Sequence, residues 1–117
     1  MSEVEVVRNF FRLYLAGDRA AAEALVDDDF VFTSPVDDHI DRALFFERCF
    51  PTADRLLSQE IVHAVPTGEG SVFVCYEYEL RTGGRFRNTE LISVRDGRLT
   101  EAQVYFGGSF DPEAPGA

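Results

Sequence analysis

Residues 71–107 read SVFVCYEYELRTGGRFRNTELISVRDGRLTEAQVYFG, and two turn signals divide this stretch. Thr82-Gly83-Gly84 and Asp96-Gly97 supply the residues that tight hairpins need. The spacing predicts strands over Ser71–Arg81, Arg85–Arg95 and Leu99–Gly107. Immediately upstream, Leu56–Val65 reads as a fourth strand, joined through Pro66-Thr67-Gly68-Glu69-Gly70. Four hairpin-linked strands make an antiparallel meander, and strands this long must twist.

The N-terminal half has a different period. Val6, Val7, Phe10, Phe11, Leu13 and Tyr14 recur at helical spacing, so Glu3–Ala16 is predicted to be a helix with Ser2 as its N-cap. Gly17 stops it, and Asp18 caps a second helix to about Val26, thin because it is rich in alanine. Asp27–Asp29 reads as a turn and Phe30–Thr33 as a short strand ended by Ser34-Pro35. Val36–Ile40 reads as a polar loop. Asp41 caps a third helix, Arg42 to about Cys49, which Pro51 ends. Helices segregated before a meander give an α+β domain, with three N-terminal helices packed on a curved antiparallel sheet around a hollow. One domain is expected over residues 1–110, followed by a flexible tail over 111–117.

Composition narrows the function. The length of 117 residues suits one domain, and 45% hydrophobic content excludes a disordered chain. Phe contributes 11 residues and Trp none, which suits a core that also lines a cavity. A net charge of −10 argues against nucleic-acid and membrane-surface partners. Every basic residue is Arg, so Schiff-base chemistry through lysine is excluded. Cys49 and Cys75 lie far apart without metal-ligand spacing, and free thiols fit a reducing, cytoplasmic location. The chain opens on an acidic amphipathic segment rather than a signal peptide. No apolar run approaches the ~20 residues of a membrane span.

Strand alternation assigns faces. Val72, Val74, Tyr76, Tyr78 and Leu80 share one side of their strand; Asn88, Glu90, Ile92 and Val94 share one side of the next; Ala102, Val104 and Phe106 share one side of the last. These more apolar sets are expected on the concave, helix-facing side. Phe73, Cys75 and Tyr105 then point outward. They are too apolar for a bare surface, which predicts a homodimer through the outer sheet face. Glu90 is a carboxylate on an apolar face, where burial raises its pKa and suits it to general-acid work. His39 lies in an aspartate-rich loop expected at the cavity mouth, where its pKa suits a base. No metal site is expected.

The order helix–helix–short strand–helix–four strands resembles the SnoaL-like, or nuclear-transport-factor-2-like, superfamily. The resemblance spans about residues 3–110. It rests on Phe10…Tyr14…Ala16-Gly17-Asp18, Leu25…Asp28-Asp29-Phe30, Ser34-Pro35, Arg95-Asp96-Gly97-Arg98-Leu99 and Val104-Tyr105-Phe106-Gly107. It implies a cone-shaped α+β barrel with a pocket at its wide mouth, a frame on which isomerases, cyclases, epoxide hydrolases, dehydratases and plain binding modules are built. In the likeness to ketosteroid isomerase, Glu90 falls at the oxyanion-hole carboxylic acid, provided the Asp-Gly turn is one residue shorter than the isomerase's. A gapless turn would instead turn Thr89 inward. Ser34 falls at the general-base aspartate and Phe10 at the catalytic tyrosine, and neither can do that chemistry. Tyr14, one helical turn on, offers a phenol. Val104 stands where cyclases and epoxide hydrolases carry an aspartate.

The expected lining is therefore Phe10, Ser34, Val74, Tyr76, Tyr78, Ile92, Val104 and Phe106, with Glu90, His39 and Tyr14 as catalytic candidates. The expected ligand is a small hydrophobic molecule. One reading is cofactor-free acid/base chemistry: isomerisation, hydration or dehydration. The other is a non-catalytic ligand-binding or dimeric assembly module.

Overall fold

Ser2 caps the first helix, α1 (Glu3–Ala16), by accepting from the Glu5 backbone N–H at 3.2 Å. Glu3 and Glu5 in its first turn complement the helix dipole. Gly17 ends it at φ +70°, a left-handed conformation costly to residues with a Cβ. The stripe Val6, Val7, Phe10, Phe11 and Leu13 is buried against the sheet. Asp18 then caps α2 (Arg19–Ala24). The structure is a computed structural model and describes residues 1–113. Most of the expected tail, residues 114–117, lies outside the described residues.

The sheet has six strands: β1 (Val26–Ser34), β2 (Asp37–Asp41), β3 (Leu56–Pro66), β4 (Ser71–Leu80), β5 (Arg85–Arg95) and β6 (Arg98–Phe110), in the order β2-β1-β6-β5-β4-β3. The meander β3–β6 is antiparallel, as its turns predict. At the β5–β6 turn, Asp96 and Gly97 have φ +53° and +76°, both positive as the two-residue type I′ hairpin requires. Two features differ from expectation. The presumed turn Asp27–Asp29 is strand, and β1 pairs parallel to β6, with Phe32 opposite Ala102. The presumed loop is β2, an edge strand antiparallel to β1 with Phe32 opposite Ile40. Its polar sequence suits an edge, where one side of the ladder meets water. The sheet is thus mixed and open, not a closed barrel.

The third helix is also longer than expected. α3 (Arg42–Leu44) runs on as a wide π-turn over Phe45–Cys49 and a tight 3₁₀ segment over Phe50–Arg55. Pro51 does not end it, because it sits at the start of the 3₁₀ segment, where a missing N–H costs nothing. Phe45 is central to the core, its ring centroid 5.2 Å from Phe30, 5.0 Å from Phe32 and 5.2 Å from Phe46. Such edge-to-face and tilted pairs add to the burial of the rings themselves. Among the described residues no helix is long and apolar enough to cross a membrane.

Candidate functional site

Register determines what the concave face presents. Val72, Ile92 and Ala102 align in one row, Val74, Glu90 and Val104 in the next, and Tyr76, Asn88 and Phe106 in a third. Thr89 stands between Cys75 and Tyr105 on the opposite face, its hydroxyl 3.4 Å from the Cys75 sulfur. Of the two alternatives, it is therefore Glu90 that faces the helices.

Between this face and α1 and the 42–55 segment lies a cavity of about 470 Å³. Phe10, Tyr14, Ser34, Tyr76, Tyr78, Glu90, Ile92, Val104 and Phe106 line it. Two expected residues do not. Val74 is fully buried behind the wall, in the core. His39 points to solvent, with its side chain 68% exposed and Nδ1 2.7 Å from Asp38. Alternation along β2 turns Ile40 into the core and so turns His39 outward. The pair of Glu90 and His39 is not brought together.

Glu90 stands at the end of a hydrogen-bonded chain. The Tyr76 hydroxyl donates to Glu90 Oε2 at 2.6 Å, and Asn88 Nδ2 donates to the Tyr76 hydroxyl at 3.2 Å. Asn88 Oδ1 accepts from the Gly107 backbone N–H at 3.4 Å. That last bond depends on a bulge: Arg87 opposes Gly108 and Asn88 opposes Phe106, leaving Gly107 as the extra residue. A Cβ at Gly107 would lie 2.5 Å from the Arg87 carbonyl oxygen, so only glycine fits. Among the described residues nothing in the protein hydrogen-bonds Glu90 Oε1. Burial pushes the Glu90 carboxyl up to about 7, against the smaller opposing effect of the Tyr76 hydrogen bond. The same burial, together with the Glu90 charge, raises the Tyr76 phenol.

A second polar group, missed in the sequence, comes from the 42–55 segment. Arg48, Cys49, Thr52 and Arg55 face the cavity at three- and four-residue spacing. The reading of Pro51 as a stop hid this continuing periodicity. Thr52 spends its proton on the Cys49 carbonyl, so Tyr14 must donate its own to Thr52 Oγ1. Burial raises the Tyr14 phenol as well. Asp37, from β2, is 14% exposed and pairs with Arg48 at 3.2 Å. Burial, then the neighbouring Asp37, pushes the Cys49 thiol up to about 12, which keeps it protonated and a poor nucleophile. Among the described residues no three His, Cys, Asp or Glu side chains converge as a metal-ligand set.

Comparisons with known proteins agree with this architecture. Residues 7–102 match the SnoaL-like domain family. No curated protein sequence matches the chain. A protein from Kribbella flavida DSM 17836 superposes with a TM-score of 0.79 at 21% identity, over 88% of this chain and 84% of that one. A nuclear-transport-factor-2-like protein of unknown function from Cytophaga hutchinsonii ATCC 33406 gives 0.73 at 19% identity, over 91% and 90%. A de novo designed protein with a curved β-sheet gives 0.77 at 18% identity, over 97% and 90%. At these identities the likeness is one of fold. With the family match covering most of its length and the helices-then-curved-sheet frame in place, the chain belongs to the SnoaL-like domain family.

Proposed function

We propose that the chain binds a small, largely apolar molecule in this cavity and moves a proton to or from it without a cofactor, with Glu90 as the acid or base. One observation carries this reading. Of the two carboxyls that line the cavity, Asp37 is paired with Arg48, whereas Glu90 has Oε2 held by Tyr76, no hydrogen bond to Oε1 among the described residues, and a pKa up at about 7. Such a group is half protonated at neutral pH, so it can give or take a proton with little driving-force penalty. Tyr76, held in turn by Asn88, orients the carboxyl, and Tyr14 shapes the opposite wall. Isomerisation, hydration and dehydration all share such a proton-transfer step.

A specific observation favours a second, non-catalytic reading. His39 stands outside the cavity and the Asp37 carboxylate is engaged by Arg48, so among the described residues Glu90 lacks a free carboxylate or imidazole partner. In that case Glu90 only hydrogen-bonds a ligand. Native mass spectrometry of gently purified protein, followed by incubation of any bound compound in heavy water, tests both. Deuterium uptake by the compound with wild type, lost in Glu90→Gln, supports catalysis. A bound compound that takes up no deuterium supports the binding module, and the absence of any apolar ligand counts against the cavity reading.

We further propose a homodimer through the convex sheet face. Val65, Phe73 and Tyr105 lie exposed on that face at 55%, 46% and 55%. The free, partly buried Cys49 and Cys75 are consistent with a reducing, cytoplasmic location.

A further inference from the structure

The rim of the cavity beside the far end of β4 carries one unpaired arginine. Arg55, the last residue of the 3₁₀ segment, lines the cavity and is exposed. The Arg81 backbone N–H donates to the Arg55 carbonyl at 2.9 Å, which locks the two residues together. Arg81 lies outside the cavity lining, with its guanidinium Nε donating to the Asp54 carbonyl at 3.2 Å. Among the described residues the Arg55 guanidinium makes no hydrogen bond or ion pair, and the Asp54 carboxylate pairs with neither arginine. Below them, Leu56 pairs with Leu80, and both line the cavity with Tyr78.

The charges lining the cavity are thus asymmetric. The inner end holds Glu90; Asp37 is neutralised by Arg48; the rim beside Leu80 holds the unpaired Arg55. From Tyr76, which holds Glu90, to Leu80 is four residues of strand, roughly 13 Å at the usual rise. An anion is repelled from the inner end and drawn to the rim. The protein's net charge acts weakly here, because exposed charges beyond about 8 Å are screened at physiological salt.

We propose that the ligand is an amphipathic carboxylate. Its head sits on Arg55, and its apolar body runs past Leu80 and Tyr78 toward Glu90. This rests on the cavity being a binding site, and it names the class of molecule that site takes. Decanoate and decanol share one chain and differ in the head, so calorimetry with both at pH 8 tests it. Wild type is expected to bind decanoate about tenfold tighter than decanol, the value of one good charge-assisted contact. Arg55→Gln and Arg55→Ala are expected to remove that lead by weakening decanoate far more than decanol. Equal wild-type affinities, or equal losses for both probes in the variants, would overturn the carboxylate while leaving the apolar cavity in place. Binding of neither probe to wild type, with circular dichroism showing it folded, would overturn both.

Discussion

Replacing Glu90 by Gln isolates the cost of a buried carboxylate, because Gln keeps the shape and can still accept from Tyr76. In the folded protein the carboxyl titrates near 7, against an ordinary value of 4.5. Below pH 4.5 the group is protonated in both folded and unfolded chains, and the substitution changes little. Between the two values only the folded chain holds the proton, so wild-type stability falls by about 1.4 kcal/mol per pH unit relative to the variant. Above pH 7 both states are ionised and the difference levels off at about 3 kcal/mol in favour of Gln. The two proteins differ only at position 90, so the difference between their curves isolates it. Urea unfolding of both proteins from pH 4 to pH 9 measures it. Parallel stability curves, or a difference that grows toward acid pH, would refute the burial of Glu90 as a poised acid.

Tyr76→Phe removes the donor to Oε2, so the Glu90 carboxyl is expected to rise above its wild-type value; a carbon-13 carboxyl titration that finds it unchanged or lower contradicts the chain of bonds described above. Gly107→Ala forces a Cβ against the Arg87 carbonyl at 2.5 Å and is expected to lower stability by about 2 kcal/mol in thermal unfolding; a neutral change would mean the bulge can relax. Phe73→Glu with Tyr105→Glu is expected to convert a dimer to a monomer in light scattering, and a wild type already monomeric at micromolar concentration rules the interface out.

The three hairpins, the caps at Ser2, Asp18 and Asp41 and the buried stripe of α1 were legible because each depends on residues within a few positions of one another. Alternation likewise placed Tyr76, Tyr78, Ile92, Val104 and Phe106 on the cavity side without knowledge of any partner strand. Alternation failed at the polar edge: β2 carries only Ile40 as a buried apolar residue, too few to show a period of two, and so His39 was expected at the mouth.

What the tertiary structure alone decided are the relations between distant segments. The parallel pairing of β1 with β6 brings together residues about seventy positions apart, and no local signal encodes it. The path of the 42–55 segment, carried through Pro51 by a π-turn and a 3₁₀ turn, sets Arg48, Cys49, Thr52 and Arg55 on the cavity. The site's polarity is likewise non-local. Glu90 was visible as an acid on an apolar strand, but its hydroxyl partner comes from β4. The amide that holds that hydroxyl depends on a one-residue bulge in β6. A strand's sequence specifies which side each residue takes, because side chains alternate along the backbone; which residue stands opposite is specified only by register, and register belongs to the pair.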